Sequence, residues 1–505
     1  MRTWAGFLWG KKANAWGLLF AACLMLLFFL GGREIWTQEH RWADIVSGMF
    51  FRHDFLHPFL NDVDYYDKPL FSYWLIAAFS YLTGQVSTWA LRLPSALAGI
   101  LAIWSIYRLG LSLKNRRFGL LAGWLLLTTF YFIFWARTSS ADMLNMAGSL
   151  CAVAWYFEKK ATPHFFNYMI FFLILACTSL CKGLVGAIVP LLVIFPDLLM
   201  KQEWKKHLNW SILPAIIPAA VVYILPFWAS AHFGGETYGE SGLYLVYREN
   251  ILRYFQPFDH KGPIYTYLIF LPVYLLPWAL FFVPAVFSLK GRWKEMSSQS
   301  KWMVWSVLLL FLFFTLSGSR RNYYVLPIVP FAILMTADWI MATGSEFAKR
   351  NVWAGKLVII FLCALFLNFD VIQPLYYAAG GPARFAMDLK TQASKIKPWA
   401  HWEFVLLDPE SRTRFYLHLP PQVKNYAVTG SERIHQTSTT LLNTWPVLKN
   451  PNPGVIYITR KMYEPALKSL LPNYKIVEAT PSLGERLLKS KTMNAAVAFI
   501  PPDGV

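Results

Sequence analysis

Residues 165–200 read FFNYMIFFLILACTSLCKGLVGAIVPLLVIFPDLLM, two apolar runs with almost nothing between them but Lys182-Gly183. Each run approaches the ~20 residues needed to cross the hydrocarbon core of a bilayer. A pair of spans with almost no loop is a membrane hairpin, and the same pattern recurs in both directions along the chain. Candidate spans fall at 16–32, 91–111, 118–135, 143–157, 165–181, 183–200, 210–230, 266–289, 301–317, 323–342 and 354–373. The composition agrees: 56% hydrophobic, 15% charged and 17% aromatic, with a mean hydropathy of +0.38. Aromatics favour membrane–water interfaces. The fold class is therefore a polytopic α-helical membrane protein of about 11–13 transmembrane helices. The net charge of +19 does not point to nucleic acid, because the basic residues lie between the apolar runs. All five cysteines sit in apolar segments without CxxC or zinc spacing, which argues against a disulfide framework or a cysteine metal site. The first apolar run follows Lys11 and Lys12 but lacks a small-residue cleavage site, so it reads as a retained anchor.

Basic residues orient the spans. Lys114, Arg116 and Arg117 follow the second span, Lys159 and Lys160 the fourth, Lys201, Lys205 and Lys206 the sixth, and Lys290, Arg292 and Lys294 the eighth. Every second loop is basic and is expected to face the cytoplasm. The outward set then comprises 33–90, Arg137 to Asp142, the Lys182-Gly183 turn, 231–265, Ser317 to Asn322, and the chain after about 374. This register requires that 71–84 lie at the interface and not span. Two domains are expected: a transmembrane domain over 1–373 and a small extracytoplasmic α/β domain over 374–505. In the latter, 404–407 and 454–458 read as buried strands and 462–471 as a helix.

The outward face gathers polar residues. Glu39, Asp44, Asp62, Asp64 and Asp67 stand beside Arg41, Arg52 and Lys68 with aromatics between them, as a site or as a solvated loop with interface anchors. Asp142 lies at the outer end of a span, where a carboxylate is costly unless paired or in a wet cavity, or it caps a helix. Lys182 either snorkels as an anchor or places an ammonium for an anion. Arg248-Glu249-Asn250 with Arg253 precedes Asp259-His260-Lys261-Gly262-Pro263. A lone loop histidine is usually not a ligand, although His and carboxylates do build metal sites. Arg320 and Arg321, followed by Tyr323-Tyr324, run against the positive-inside bias, and arginine geometry suits phosphate oxygens. Walker, dinucleotide, GxSxG and HExxH motifs are absent from the sequence. A phosphorylated substrate delivered through the membrane fits this set, with a carboxylate as general base and cations stabilising a departing phosphate.

At this point the chain resembles the bacterial GT-C glycosyltransferases that use polyprenyl-phosphate sugars, including the lipid A aminoarabinose transferases and, more distantly, the protein O-mannosyltransferases. Their Asp-Glu-x-Arg-Tyr-Ala-Glu-Ile stretch is similar to Gln38-Glu39-His40-Arg41-Trp42-Ala43-Asp44-Ile45, and their Tyr-Phe-Glu-Lys-Pro to Tyr65-Tyr66-Asp67-Lys68-Pro69. Later elements resemble Asp142, Lys182-Gly183, Glu249-Asn250-Ile251-Leu252-Arg253-Tyr254, His260-Lys261-Gly262-Pro263 and Arg320-Arg321-Asn322-Tyr323-Tyr324-Val325-Leu326. The likeness covers about 33–330. The chief departure is Gln38, where the family has Asp, since an amide is no general base at neutral pH.

The resemblance implies a GT-C fold and an inverting transfer of a hexosyl or pentosyl unit from a polyprenyl-phosphate donor. The acceptor is extracytoplasmic: lipid A, another envelope glycolipid or a protein. Glu39, Asp142 and Asp67 become the catalytic candidates, and Arg41, Lys68, Lys182, Arg253, Arg320 and Tyr324 the substrate-binding ones. No cofactor is required; a divalent metal at His260 and Asp67 is the weaker possibility. The expected partners are the lipid-linked donor, the acceptor and membrane lipid, with no nucleic acid. The expected location is the bacterial inner membrane, with site and C-terminal domain facing the periplasm. The competing class is a transporter or flippase for lipid-linked glycans, which needs polar residues across the midplane.

Overall fold

The computed structural model describes residues 4–36, 38–60, 63–65, 68–207, 210–233, 247–257, 260–342, 346–428, 437–481 and 493–502. Asp62, Asp67 and Asp259 lie outside this set. The chain forms two compact units that interleave in sequence. The first comprises Met1–Leu30, Asp54–Pro58 and Asp64–Leu367, and the second Gly31–His53, Phe59–Val63 and Asn368–Val505.

The first unit is helical and makes the chain an integral membrane protein. Six helices among the described residues are long and apolar enough to cross a bilayer: Thr88–Leu113, Phe165–Lys182, Ile212–His232, Ser298–Leu316, Asn322–Met341 and one beginning at Phe347. A seventh span arises if Arg116–Leu127 and Phe130–Ala136, bent by 71°, are taken together. The stretch at 165–200 folds as Phe165–Lys182 and Val185–Met200, the second being short for a span. The stretch at 71–84 is a helix of 13 residues, Phe71–Thr83.

Two of the sequence candidates are broken, for visible reasons. In 118–135 the helix stops at Thr128-Thr129, whose hydroxyls donate to the Trp124 and Leu125 carbonyls at 2.7 and 2.9 Å. Side-chain donors of this kind satisfy carbonyls that would otherwise be orphaned in a lipid setting. In 266–289 the helix Thr266–Tyr274 ends and Ala279–Phe287 begins, with Pro272 and Pro284 inside them and Pro277 between. Proline supplies no N–H and disrupts the helical ladder.

Packing within this unit depends on small residues where helices approach closely. A Cβ on Gly110 would stand 2.6 Å from the Gly119 Cα, so Thr88–Leu113 and Arg116–Leu127 meet backbone to backbone. In contrast, Leu213, Ile217, Val221, Leu225 and Trp228 of Ile212–His232 are all exposed. Their spacing of three to four puts them in one row, the stripe that a lipid-facing helix turns to acyl chains.

Charges are paired at the ends of the helices. Asp338 is bound by Lys114 and accepts from the Ser300 hydroxyl at 3.1 Å. Asp197 accepts from Lys160 at 2.6 Å and the Tyr156 hydroxyl at 3.1 Å, with Lys201 at 3.3 Å. Buried Arg92 donates to the Leu30 carbonyl at 3.1 Å, and Arg137 to the Met25 carbonyl at 2.7 Å. The Met25 carbonyl belongs to the last turn of the Ala15–Leu27 helix, where carbonyls lack intrahelical partners, and Leu30 follows just beyond it.

The second unit contains a five-stranded sheet built from β1 (Glu403–Leu407), β2 (Asn425–Tyr426), β3 (Val455–Arg460), β4 (Lys475–Glu478) and β5 (Ala496–Ile500), in the order β2-β1-β3-β5-β4. The first three strands are parallel, while β5 runs antiparallel to β3 and β4. Alternation along the strands serves two cores. Leu406, Ile456, Ile458 and Ala498 pack with Phe385 and Leu389, whereas Val405, Leu407, Tyr457 and Phe499 pack with Leu441 and Trp445. A sheet covered on both faces needs near-continuous apolar strands, which is the pattern of 404–407 and 454–458. The expected helix at 462–471 is Glu464–Leu470.

The segment after the first apolar helix is stitched into this second unit. The Glu34 carboxylate accepts from the Ala383 N–H at 2.9 Å, at the start of helix Pro382–Ala393, and from Arg412 at 3.3 Å. A carboxylate at a helix N-terminus meets unpaired N–H groups and the positive end of the dipole. The Tyr416 hydroxyl accepts from the Ile35 N–H at 2.7 Å.

Candidate active site

Helix geometry brings Asp142 and Lys182 together. Ser140 caps helix Ala141–Lys159, its hydroxyl accepting from the Asp142 N–H at 3.0 Å, so Asp142 stands in the first turn. Lys182 is the last residue of Phe165–Lys182, which packs beside it in the opposite direction. The two side chains form an ion pair and both are largely buried. The Lys182 ammonium also lies 4.6 Å from the centre of the Tyr324 ring, over its face. A pair this far from water is stable only while both members are present.

The turn after Lys182 requires glycine. Gly183 has φ +98°, a left-handed value that favours glycine, and a Cβ there would collide with the Asn250 side-chain oxygen. That oxygen accepts from the Leu184 N–H at 2.7 Å. Asn250 belongs to a π-helical turn, Tyr247–Leu252, that leads into Arg253. Arg253 donates to Glu249 at 2.6 Å, and its other terminal nitrogen is 3.0 Å from His260 Nδ1. A guanidinium only donates, so Nδ1 accepts and the ring proton belongs on Nε2. The Tyr324 hydroxyl is 3.2 Å from the same Nδ1.

Lys68 reaches the same place from the loop before Phe71–Thr83. That helix is fixed to the end of Phe165–Lys182 by the Ser72 hydroxyl, which donates to the Cys181 carbonyl at 2.9 Å. Lys68, Lys182, Glu249, Asn250, Arg253 and Tyr324 line one cavity of about 380 Å³. Apolar side chains make up much of the remaining lining: Val185, Ile188, Ile251, Phe255, Phe313 and Phe314. Ser317 and Ser319 close it, and the buried Ser319 hydroxyl has no hydrogen-bond partner among the described residues. The cavity therefore combines cations with apolar side chains and holds a spare donor.

Other sequence candidates are placed differently. Arg320 lies beside the cavity and not on its wall: its guanidinium donates to the Thr315 and Gly262 carbonyls at 3.0 and 2.8 Å, while its N–H donates to the His260 carbonyl at 2.7 Å. It ties the 260–263 and 315–320 loops together. Glu39 and Arg41 belong to the second unit, on helix Glu39–Arg52. Glu39 is fully buried, accepts from the Trp36 N–H at 2.6 Å and lies 3.7 Å from Arg33. Asp67 lies outside the described residues, and so does any geometry it would give with His260. Among the described residues no three His, Cys, Asp or Glu side chains are grouped to hold a metal ion. Glu249 and Asn250 carry more of the site than the sequence assigned to them; their signal was the Arg248-Glu249-Asn250 run in a region of few charges. Ser319 gave no signal beyond lying near Arg320.

The chain is similar to known proteins in sequence and in fold. The model of the dolichyl-phosphate-mannose-protein mannosyltransferase family matches residues 67–229. The undecaprenyl phosphate-alpha-4-amino-4-deoxy-L-arabinose arabinosyl transferase of Pectobacterium atrosepticum is 28% identical over 386 residues, 73% of this chain and 67% of that protein. The same-named enzyme of Aeromonas salmonicida is 25% identical, over 82% of this chain and 76% of its own length. Among solved structures, Cupriavidus metallidurans ArnT bound to undecaprenyl phosphate aligns with a TM-score of 0.69 at 17% identity, covering 96% of this chain and 98% of that one. The Archaeoglobus fulgidus oligosaccharyltransferase aligns with a TM-score of 0.54 at 11% identity, covering 90% of this chain and 68% of that one. In fold the chain is built like ArnT, and in sequence it is similar to the aminoarabinosyl transferases.

Proposed function

We propose that this protein is a membrane glycosyltransferase that moves a sugar from a polyprenyl-phosphate donor to an acceptor outside the cytoplasm. One observation carries the proposal: Lys68, Lys182 and Arg253 share a cavity with the apolar side chains Val185, Ile188, Ile251, Phe255, Phe313 and Phe314. A prenyl-phosphate sugar has this same division, a charged phosphate at the end of an oily chain. Cation-lined sites stabilise charge that grows on a departing phosphate, and they are strongest where water is scarce. Ile251 and Phe255 of this lining are exposed on the unit's surface, which suits lateral arrival of the chain from lipid. The likeness to a protein crystallised with undecaprenyl phosphate supports the same reading.

In the step we assign, an acceptor hydroxyl oxygen forms a bond to the anomeric carbon and inverts it. The bond from that carbon to the phosphate oxygen breaks, and its electron pair stays on the phosphate beside Lys182 and Arg253. The hydroxyl proton passes to Asp142, the carboxylate paired with Lys182. Glu39, buried against Trp36 and Arg33, holds the start of its helix. The transferred unit is a pentosyl or hexosyl group, as in the relatives named for aminoarabinose and mannose. The acceptor is lipid A, another envelope glycolipid or a protein. The protein resides in a bacterial inner membrane, with the cavity and the second unit on the periplasmic side. This orientation rests on the alternation of basic loops. A transporter would place polar groups along the midplane, whereas here Asp142 and Lys182 pair at a helix terminus.

Mass analysis of envelope glycolipids and proteins from cells with and without the gene tests the proposal. Loss of one sugar from an envelope molecule, with accumulation of a polyprenyl-phosphate sugar, is expected. An unchanged envelope under conditions where the gene is expressed would contradict it.

A further inference from the structure

The second unit contains a cleft that the transfer step does not use. It lies where β1 and β3 begin, has a volume of about 680 Å³, and is walled by Trp399, Trp402 and Phe404. Pockets of about 300–1,000 Å³ hold small organic ligands. The Trp399 and Phe404 rings meet at 4.8 Å and 50°, forming a bent aromatic wall. Around its rim stand Glu403, His418, Gln422 and Lys424, whose side chains make no hydrogen bond or ion pair with any described residue. His418 has φ +52°, an uncommon value for a residue with a side chain.

We propose that this cleft binds a saccharide, and that it holds the glycan part of the acceptor. Its use in acceptor recognition rests on the transferase reading; its chemistry does not. A sugar ring has an apolar C–H face and a rim of hydroxyls. Aromatic rings match the first, and planar carboxylate, amide and imidazole groups match the second by giving or taking paired hydrogen bonds. One carboxylate and one ammonium leave the rim without net charge, which disfavours a polyphosphate. The nearby edge strand β2 has 2 residues, too few for a peptide to add as a further strand.

The test uses the full-length protein in lipid nanodiscs, titrated with maltotriose, chitotriose and, as control, a neutral tripeptide, and followed by ligand-observed NMR. Saturable binding of at least one saccharide is expected, weakened about tenfold in Trp399→Ala and again in the exposed-rim variant Gln422→Ala. Thermal unfolding and undecaprenyl-phosphate binding should stay unchanged in Gln422→Ala. Absence of saccharide binding, equal binding by both variants, or displacement of the sugar by the tripeptide overturns the proposal. Sugar binding in a protein whose deletion leaves the envelope unchanged would retain the cleft and remove the transferase reading. Transfer with no sugar binding would do the reverse.

Discussion

Lys182 is held by two kinds of contact, an ion pair to Asp142 and the face of Tyr324. If its ammonium stabilises the departing phosphate, Lys182→Met should slow single-turnover transfer by about a hundred- to a thousandfold. Asp142→Asn should slow it too if the same carboxylate takes the acceptor proton, as proposed. The double variant should fall short of the summed losses by about 1–3 kcal/mol, since each single change strands a buried charge. Simple additivity in that cycle would separate the two residues functionally. The adjacent glycine gives a second prediction. Gly183→Ala should destabilise the protein by more than about 1 kcal/mol, as a positive-φ position and a collision combine. Adding Asn250→Ala should recover the part due to collision, read as thermal unfolding in detergent. Lys68, Asp142 and Lys182 were legible in the sequence because charges are few there. Arg320 shows the limit: sequence reveals a cation against the topology bias, but not the Thr315 and Gly262 carbonyls that engage it.

Helices and strands were legible where a single period dominates. The strands of the second unit are continuous apolar runs because both faces are covered, and they fall where such runs predict. The membrane segments were legible in position but not in continuity. Hydropathy averages over Thr128-Thr129 and over Pro277 without registering that the backbone ladder stops there. Helix Glu39–Arg52 carries a property that no pattern reveals. Burial lifts the Asp44 carboxyl from 3.8 to about 7, against the pull of Arg414. The folded state therefore holds its proton more tightly than the unfolded state. The stability this gives is complete below the unfolded value and is lost as pH rises through about 7. Hydrogen exchange across Glu39–Arg52 in the intact protein, corrected for chemical rates, should show protection falling between about pH 4 and pH 7. Asp44→Asn should flatten that dependence; an equal fall in the variant would assign it to other groups.

The two compact units interleave, since Gly31–His53 joins the second although it follows the first apolar helix directly. Sequence order alone does not show this, because the contacts that bind the segment, Glu34 with Arg412 and Ile35 with Tyr416, join residues more than three hundred positions apart. For the whole molecule, the orientation reading predicts an active alkaline phosphatase fused at the C-terminus; an inactive fusion with a fluorescent cytoplasmic reporter would invert the topology. The claim on which the account turns is that the cavity of Lys68, Lys182 and Arg253 receives a polyprenyl phosphate. Native mass spectrometry of the purified protein titrated with undecaprenyl phosphate measures this directly. The account predicts a saturable single-lipid complex, weakened at least about tenfold in Lys68→Met and in the charge-balanced variant Lys182→Met with Asp142→Asn, at unchanged folding. Binding by both variants as tight as by the unaltered protein would contradict it.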